Sequence, residues 1–196
     1  MSLTLPLEFL LEIDKLKAVY RQTTVACDNN RFENSAEHSW HIALLAQVLA
    51  PYAEQPIDVS RVTLMLLLHD LVEIDAGDTF AFDTQVDMAA QSQHELQAAQ
   101  RLFGLLPAKQ AQAWTALWQE FEQAQSADAQ FAKAMDRVLP LIQNMHNQGG
   151  SWARHRVSRS QVLARNRYLE YSAPKLWQFA CEQIELAVSK GWLTAE

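Results

Sequence analysis

The run VTLMLLLHDLVE, residues 62–73, is apolar on nearly every helical face, yet it carries a histidine and an aspartate side by side near its end. A helix that is apolar all round belongs inside a protein, so the rest of the chain must wrap it. The wrapping is expected to be helical. Five Gly and six Pro in 196 residues leave little turn chemistry for a many-stranded sheet. Ala, Leu, Gln and Glu dominate instead, and these are good helix formers. The expectation is an all-α fold, one domain over residues 1–196, with a central helix from Asp58 or Ser60 to about Ala76 and Gly77 as its stop.

The other helices follow from spacing and caps. Pro6 and the stripe Leu7, Leu10, Leu11, Leu16 and Val19 predict a helix over 6–20. The stretch QTTVACDNNRFEN has no periodicity and reads as a loop. Asn34 with Glu37 three residues on forms a capping box for a helix over about 35–53, with Ile42, Leu45, Ala46 and Leu49 on one face. DTFAFDTQ, after Gly77, reads as a loop. Further helices are expected over about 86–104, after Pro107 with Trp114, Leu117, Trp118 and Phe121 on one stripe, and over 127–147 with Phe131, Met135, Val138 and Ile142. Asn147-Gln148-Gly149-Gly150 is the clearest break, and two C-terminal helices over about 158–171 and 174–190 close the chain.

A formal net charge of -7 disfavours a nucleic-acid polymer as partner, although a local site on an acidic protein can still be cationic. Cys27 and Cys181 lie far apart and read as free thiols. The start MSLTLPLEFLLEIDK has no basic segment of the signal-peptide kind, and no apolar run nears the length that spans a bilayer, so the expected location is cytoplasmic.

The chemistry starts from His69-Asp70. An ionised carboxylate inside an apolar helix is costly unless it is paired or holds a metal. Glu73 adds an acid one turn on, at i+4 from His69 and i+3 from Asp70, and Asp75 and Asp78 follow. Alone, the pair reads more readily as a satisfied core histidine with an aspartate bonded to an arginine or a cap. Two further residues alter that reading. His38 stands at a capped helix start, and Asp136 interrupts an apolar stripe. Together, two imidazoles and two carboxylates from different helices form a ligand set for one divalent ion.

The order His … His-Asp … Asp, carried by RFENSAEHSWHIALLA, LLLHDLVEIDAGD and FAKAMDRVLPLIQN, resembles the HD-domain superfamily of metal-dependent phosphohydrolases, in the branch of the HD-domain 5′-deoxynucleotidases. The resemblance covers roughly residues 9–146 and implies a helical HD-domain bundle with additional C-terminal helices. It implies one divalent metal (Mn, Co, Mg, Fe or Zn) on His38, His69, Asp70 and Asp136, with Glu73 as acid/base. Asp78 falls near the metal or the sugar, and Arg21 near the substrate phosphate, with Arg31 as competitor. Lys133, one turn before Asp136, can reach the phosphate too, and His41 is either a further ligand or a substrate contact. The implied activity is hydrolysis of a small phosphomonoester, first of all a 5′-deoxynucleoside monophosphate, by a homodimer. A diester, pyrophosphate or non-nucleotide phosphate is the neighbouring alternative, and a non-catalytic metal-binding regulatory module the distant one. The chain departs from the family at Thr79-Phe80-Ala81-Phe82-Asp83, where a proline often follows the Gly-Asp turn, and its Arg21–His38 loop is longer. Arg154, His155, Arg156, Arg159, Arg165 and Arg167 read as a solvated, salt-bridged face, and residues 150–196 add nothing to the functional reading.

Overall fold

The computed structural model describes residues 3–83 and 87–196. The expected onset of a helix at 86 and the end of the loop after Gly77 lie outside the described residues. In chain order the elements are α1 (Thr4–Ile13), a 3₁₀ turn (Asp14–Ala18), β1 (Tyr20–Val25), β2 (Arg31–Asn34), α2 (Ser35–Leu49), α3 (Val59–Leu68), a 3₁₀ segment (His69–Val72) and α4 (Glu73–Ala76). Then follow α5 (Met88–Phe103), α6 (Ala108–Gln123), α7 (Ala127–His146), α8 (Gly150–His155), α9 (Arg159–Asn166), α10 (Leu169–Ser172) and α11 (Pro174–Ser189). Apart from one hairpin the fold is helical, as the composition requires.

Helices α2, α3 and α7 pack on one another at the centre. Their contact is made by Ile42, Ala46, Val62, Met65, Leu66, Phe131, Met135 and Val138, all essentially without solvent exposure. The small residues Ala43, Ala46, Ala132 and Ala134 let the backbones approach closely. Caps set the helix starts. Asn34 accepts from the Glu37 N–H while the Glu37 carboxylate accepts from the Asn34 N–H, the reciprocal box expected from the sequence. Asp58 and Ser126 cap α3 and α7 with their side-chain oxygens, which accept from N–H groups of the first turn without a reciprocal bond. Helices α9, α10 and α11 pack against α7 from the other side. The chain end is clasped to α9, with the Arg159 N–H donating to the Thr194 carbonyl at 2.9 Å.

The structure corrects four readings. The stretch after residue 20 is an antiparallel hairpin, not a loop, with Thr24 opposite Phe32 and Val25 opposite Arg31. Its turn uses Asn29 and Asn30 at φ 52° and 56°, a conformation that asparagine tolerates. A ribbon this short shows no alternation long enough to read, and packing against α7 and α8 sustains it. The central helix is not continuous either: it tightens to 3₁₀ over His69–Val72 and resumes as α4, up to Gly77 at φ 75°. The expected apolar stripe of the first helix is largely outside. Leu7, Leu10 and Leu11 are exposed, while Leu16 is buried and Val19 packs against the core as expected, with Phe9 as a further anchor. Lastly, a short helix, α8, occupies residues expected to be irregular.

A candidate metal centre at one end of a cavity

Three helices deliver the His and Asp side chains to one place. The capping box starts α2 so that His38 points inward, fully buried, with Nε2 3.0 Å from Asp136 Oδ1 on α7. His69 and Asp70 lie in the 3₁₀ segment that follows α3, and both side chains reach the cluster from there. One ligand atom from each of His38, His69 and Asp136 lies within 4.8 Å of the others. Asp70 joins them with Oδ1 2.9 Å from His69 Nε2, while its Oδ2 accepts from Arg21 at 3.1 Å.

The hydrogen bonds decide what this cluster requires. His69 Nδ1 lies 2.8 Å from the Leu66 carbonyl, which can only accept, so Nδ1 carries the proton. His69 Nε2 then offers a lone pair toward Asp70 Oδ1 at 2.9 Å and Asp136 Oδ1 at 3.7 Å. It is buried and makes no hydrogen bond of its own. Lone pairs converging on one point repel unless a positive charge sits among them. A proton is one answer: burial opposes the charge, but Asp70 and Asp136 outweigh it and push the His69 imidazole up to about 10. A divalent cation is the other, and two imidazoles with two carboxylates are a donor set that first-row divalent metals accept. The residues present therefore fit a metal.

The surrounding groups sort by charge. Burial works to raise both the Asp70 and Asp136 carboxyls, yet the histidines, with Arg21 for Asp70, hold both below the ordinary range. Glu73 goes the other way. Burial first, and Asp70 next, push its carboxyl well above the usual value, while Ser35 Oγ donates to its Oε2 at 2.6 Å. Asp78 is raised by burial too and lies 3.7 Å from Arg21. Arg21, on β1, is surrounded by Asp70, Glu73, Asp78 and Asp136, which together outweigh its burial and keep it firmly charged.

Glu33 was missed by the sequence reading. It is almost fully buried behind His38, with Oε2 3.6 Å from His38 Nδ1, and it accepts from Thr23 Oγ1 at 2.8 Å and Gln143 Nε2 at 2.6 Å. Burial opposes its charge, but His38 and these donors pull its pKa down to about 2. A carboxylate behind a ligating histidine fixes the ring's orientation and raises its basicity. The only signal was strand alternation, which sends Glu33 to the face opposite its neighbours Phe32 and Asn34; in a four-residue strand that is too little to see.

The cluster lies at one end of a cavity of about 440 Å³. Arg21, His69, Asp70, Glu73, Asp78 and Asp136 line it. Lys133 lines it as well, but its ammonium is 3.0 Å from Glu122 and 4.1 Å from the centre of the Phe121 ring. Arg31 lies on the hairpin surface, paired with Asp28 and Glu37, and does not line the cavity. His41 is exposed beside Trp40 and also stands away from it. Three residues round α2 from His38, it has rotated off the buried face. Phe80 and Phe82, in the departing loop, line the cavity, and the Phe80 ring centre is 4.3 Å from that of His155 on α8. The far end is formed by α7 and α9. Here Arg165 turns into the cavity, a correction to its reading as one of a solvated, ion-paired face. Arg159 and Arg167 keep to that reading, pairing with Glu185 and Glu170.

A family model described as "HD domain" matches residues 13–177 of this chain. A crystal structure described as a predicted metal-dependent phosphohydrolase from Magnetospirillum magnetotacticum is 46% identical, with a TM-score of 0.91 over 97% of this chain and 95% of that one. The 5′-deoxynucleotidase HDDC2 of Homo sapiens is 28% identical over 137 residues, which are 70% of this chain and 65% of that protein. The match thus spans a little less than two thirds of the human relative's length. The 5′-deoxynucleotidase YfbR of Salmonella newport is 24% identical over 176 residues, 83% of this chain and 86% of that protein.

Proposed function

The chain belongs to the HD domain family, and on that premise we propose that it is a metal-dependent phosphohydrolase that cleaves the phosphomonoester of a small nucleotide, with 5′-deoxynucleoside monophosphates as first candidates. The observation that carries this reading is the unsatisfied His69 Nε2, aimed at two carboxylates beside Arg21 and Glu73 in one cavity. The names of the relatives, 5′-deoxynucleotidase HDDC2 and YfbR, support the substrate class. His38, His69, Asp70 and Asp136 would hold one divalent cation, whose charge stabilises the charge that develops on the phosphoryl oxygens. Arg21 binds a further phosphoryl oxygen, and Asp70 holds its guanidinium in place. Lys133 contributes once its ammonium leaves Glu122. Glu73 holds a proton at the carboxyl oxygen not engaged by Ser35 and can deliver it to the leaving alcohol oxygen. Phe80 and Phe82 cover the site and exclude water.

One ligand cluster of this kind appears among the described residues, which favours a monoester over reactions that need two adjacent metals. Leu7, Leu10 and Leu11 on α1, with Leu3 just before it, are exposed together, and this apolar face supports a homodimer. Among the described residues no helix is long and apolar enough to cross a membrane. The test is phosphate release from ribo- and deoxynucleoside monophosphates with Mn²⁺, Co²⁺ or Mg²⁺, beside chelator and Asp70→Ala controls. Release that both controls remove supports the proposal. A protein that binds metal but releases phosphate from none of them removes the nucleotidase reading.

A further inference from the structure

The end of the cavity away from the metal centre has the opposite charge problem. Arg21, Arg31, Arg61, Arg101, Arg159 and Arg167 each pair with a carboxylate. Arg137 and Arg165, which line the cavity between α7 and α9, pair with none among the described residues. The two are tied together. Arg137 donates from its terminal nitrogen to the Arg165 carbonyl at 3.3 Å, and its guanidinium stacks 4.1 Å from the centre of the Tyr168 ring. That stacking fixes the plane of the guanidinium, while its buried Nε makes no hydrogen bond. Beside it Asn166, nearly inaccessible to solvent, donates to the Val162 carbonyl at 2.9 Å, which leaves its Oδ1 buried and unpartnered. Two cations of like charge, one of them held by its stack on Tyr168, and one idle buried acceptor line one wall of a cavity and form a site that lacks its ligand. Guanidinium groups match phosphate oxygens in pairs, and an amide oxygen beside them accepts from a neighbouring hydroxyl.

We infer that this wall is a second phosphate subsite, and that the preferred substrates are nucleotides carrying a second phosphate away from the one that is cleaved, as in a nucleoside 3′,5′-bisphosphate. The inference rests on the proposed phosphomonoesterase activity for its catalytic half only. The cleaved phosphate takes the metal end. The second phosphate binds Arg137 and Arg165, and in a ribonucleotide the adjacent 2′-hydroxyl also donates to Asn166. The cavity, about 440 Å³, is in the size range of sites that enclose a whole small ligand. Helix α9 would then select the substrate while taking no part in the chemistry.

Two measurements test this, one of them without turnover. In chelator-treated protein the acid-rich end repels anions, so inorganic phosphate reports on the basic wall. At matched ionic strength phosphate is expected to raise the melting temperature above that in chloride, and Arg165→Gln and Arg137→Gln are each expected to remove most of that rise. No phosphate-specific rise, or a rise that both variants retain, overturns the subsite. With metal added, kcat/KM for thymidine 3′,5′-bisphosphate is expected to exceed that for thymidine 5′-monophosphate by about tenfold or more, from one added charge-assisted contact pair. Arg165→Gln is expected to bring the ratio near one. Equal values in the wild-type protein overturn the substrate class. A phosphate-dependent rise that needs Arg165, in a metal-loaded protein that hydrolyses neither nucleotide, keeps the subsite and removes the nucleotidase reading.

Discussion

The two ends of the cavity are built from the same helix, α7, and pose mirror-image charge problems. At one end Asp136 joins Asp70, Glu73 and Asp78, with the largely buried Arg21 as a cation among them and His69 recruiting a proton. One residue further on, Arg137 turns the other way to join Arg165, and among the described residues it forms no salt bridge, Asp136 and Glu122 acting on it only from further off. Helical geometry explains the split, since adjacent residues point about a hundred degrees apart. A single helix can thus present an anion to one ligand and a cation to another. A buried excess of either sign is unfavourable until a partner of opposite sign arrives, so the net charge of each end is a guide to what binds there.

Asp136→Ala should break the acid end most severely. It removes a carboxylate from both histidines, and phosphate release is expected to fall roughly 10⁴-fold or more, with divalent-metal binding by calorimetry lost alongside it. Retained metal binding would mean that the ligand set is wrong. Glu73→Gln is smaller and more selective: kcat is expected to fall roughly 10³-fold while metal stoichiometry stays at one. An unchanged kcat would remove Glu73 from proton transfer.

Glu33→Gln tests the support behind His38. Metal affinity should drop about 10- to 100-fold. The same variant has a pH signature in chelator-treated protein. The Glu33 carboxyl is held at about 2 in the fold, against an ordinary value of 4.5. Its stabilisation is therefore complete above about pH 5 and is lost as the pH falls toward 2. The melting temperature of the wild-type protein should consequently fall more steeply between pH 5 and pH 3 than that of Glu33→Gln. Parallel curves would show that the buried carboxylate is not ionised. Smallest of all, Arg31→Gln should alter kcat/KM by less than about twofold, because that arginine is an exposed hairpin cation with local partners. A larger loss would reopen the choice between Arg21 and Arg31 as phosphate ligand.

The acid end was largely legible in advance, for a local reason. A histidine and an aspartate inside VTLMLLLHDLVE are conspicuous because their neighbours are apolar, and Asn34 with Glu37 announces the helix start that buries His38. Arg21 was placed by resemblance, but only the hairpin explains how it reaches Asp70, and the hairpin was read as a loop. Glu33, Thr23 and Gln143 were invisible because their roles come from pairings such as Gln143 with Glu33, far apart in the chain. His41 shows the converse error, since spacing alone put it near His38 and a sixth of a turn carries it into solvent.

The exposed leucines of α1 and the inward Arg165 belong to the same class of miss. Leucines at helical spacing state that one face is apolar, not that a partner within the chain covers it. A basic run states that charge is present, not that one member turns away from solvent. By itself the sequence determined the helical class, the caps and the candidate ligand residues, because propensity, capping and periodicity are local properties of the chain. Tertiary structure decided the rest: the hairpin that carries Arg21, the tautomer that leaves His69 facing two carboxylates, and the closure of the cavity by α8 and α9. These depend on groups brought together from distant positions, and no local pattern encodes which of them will meet.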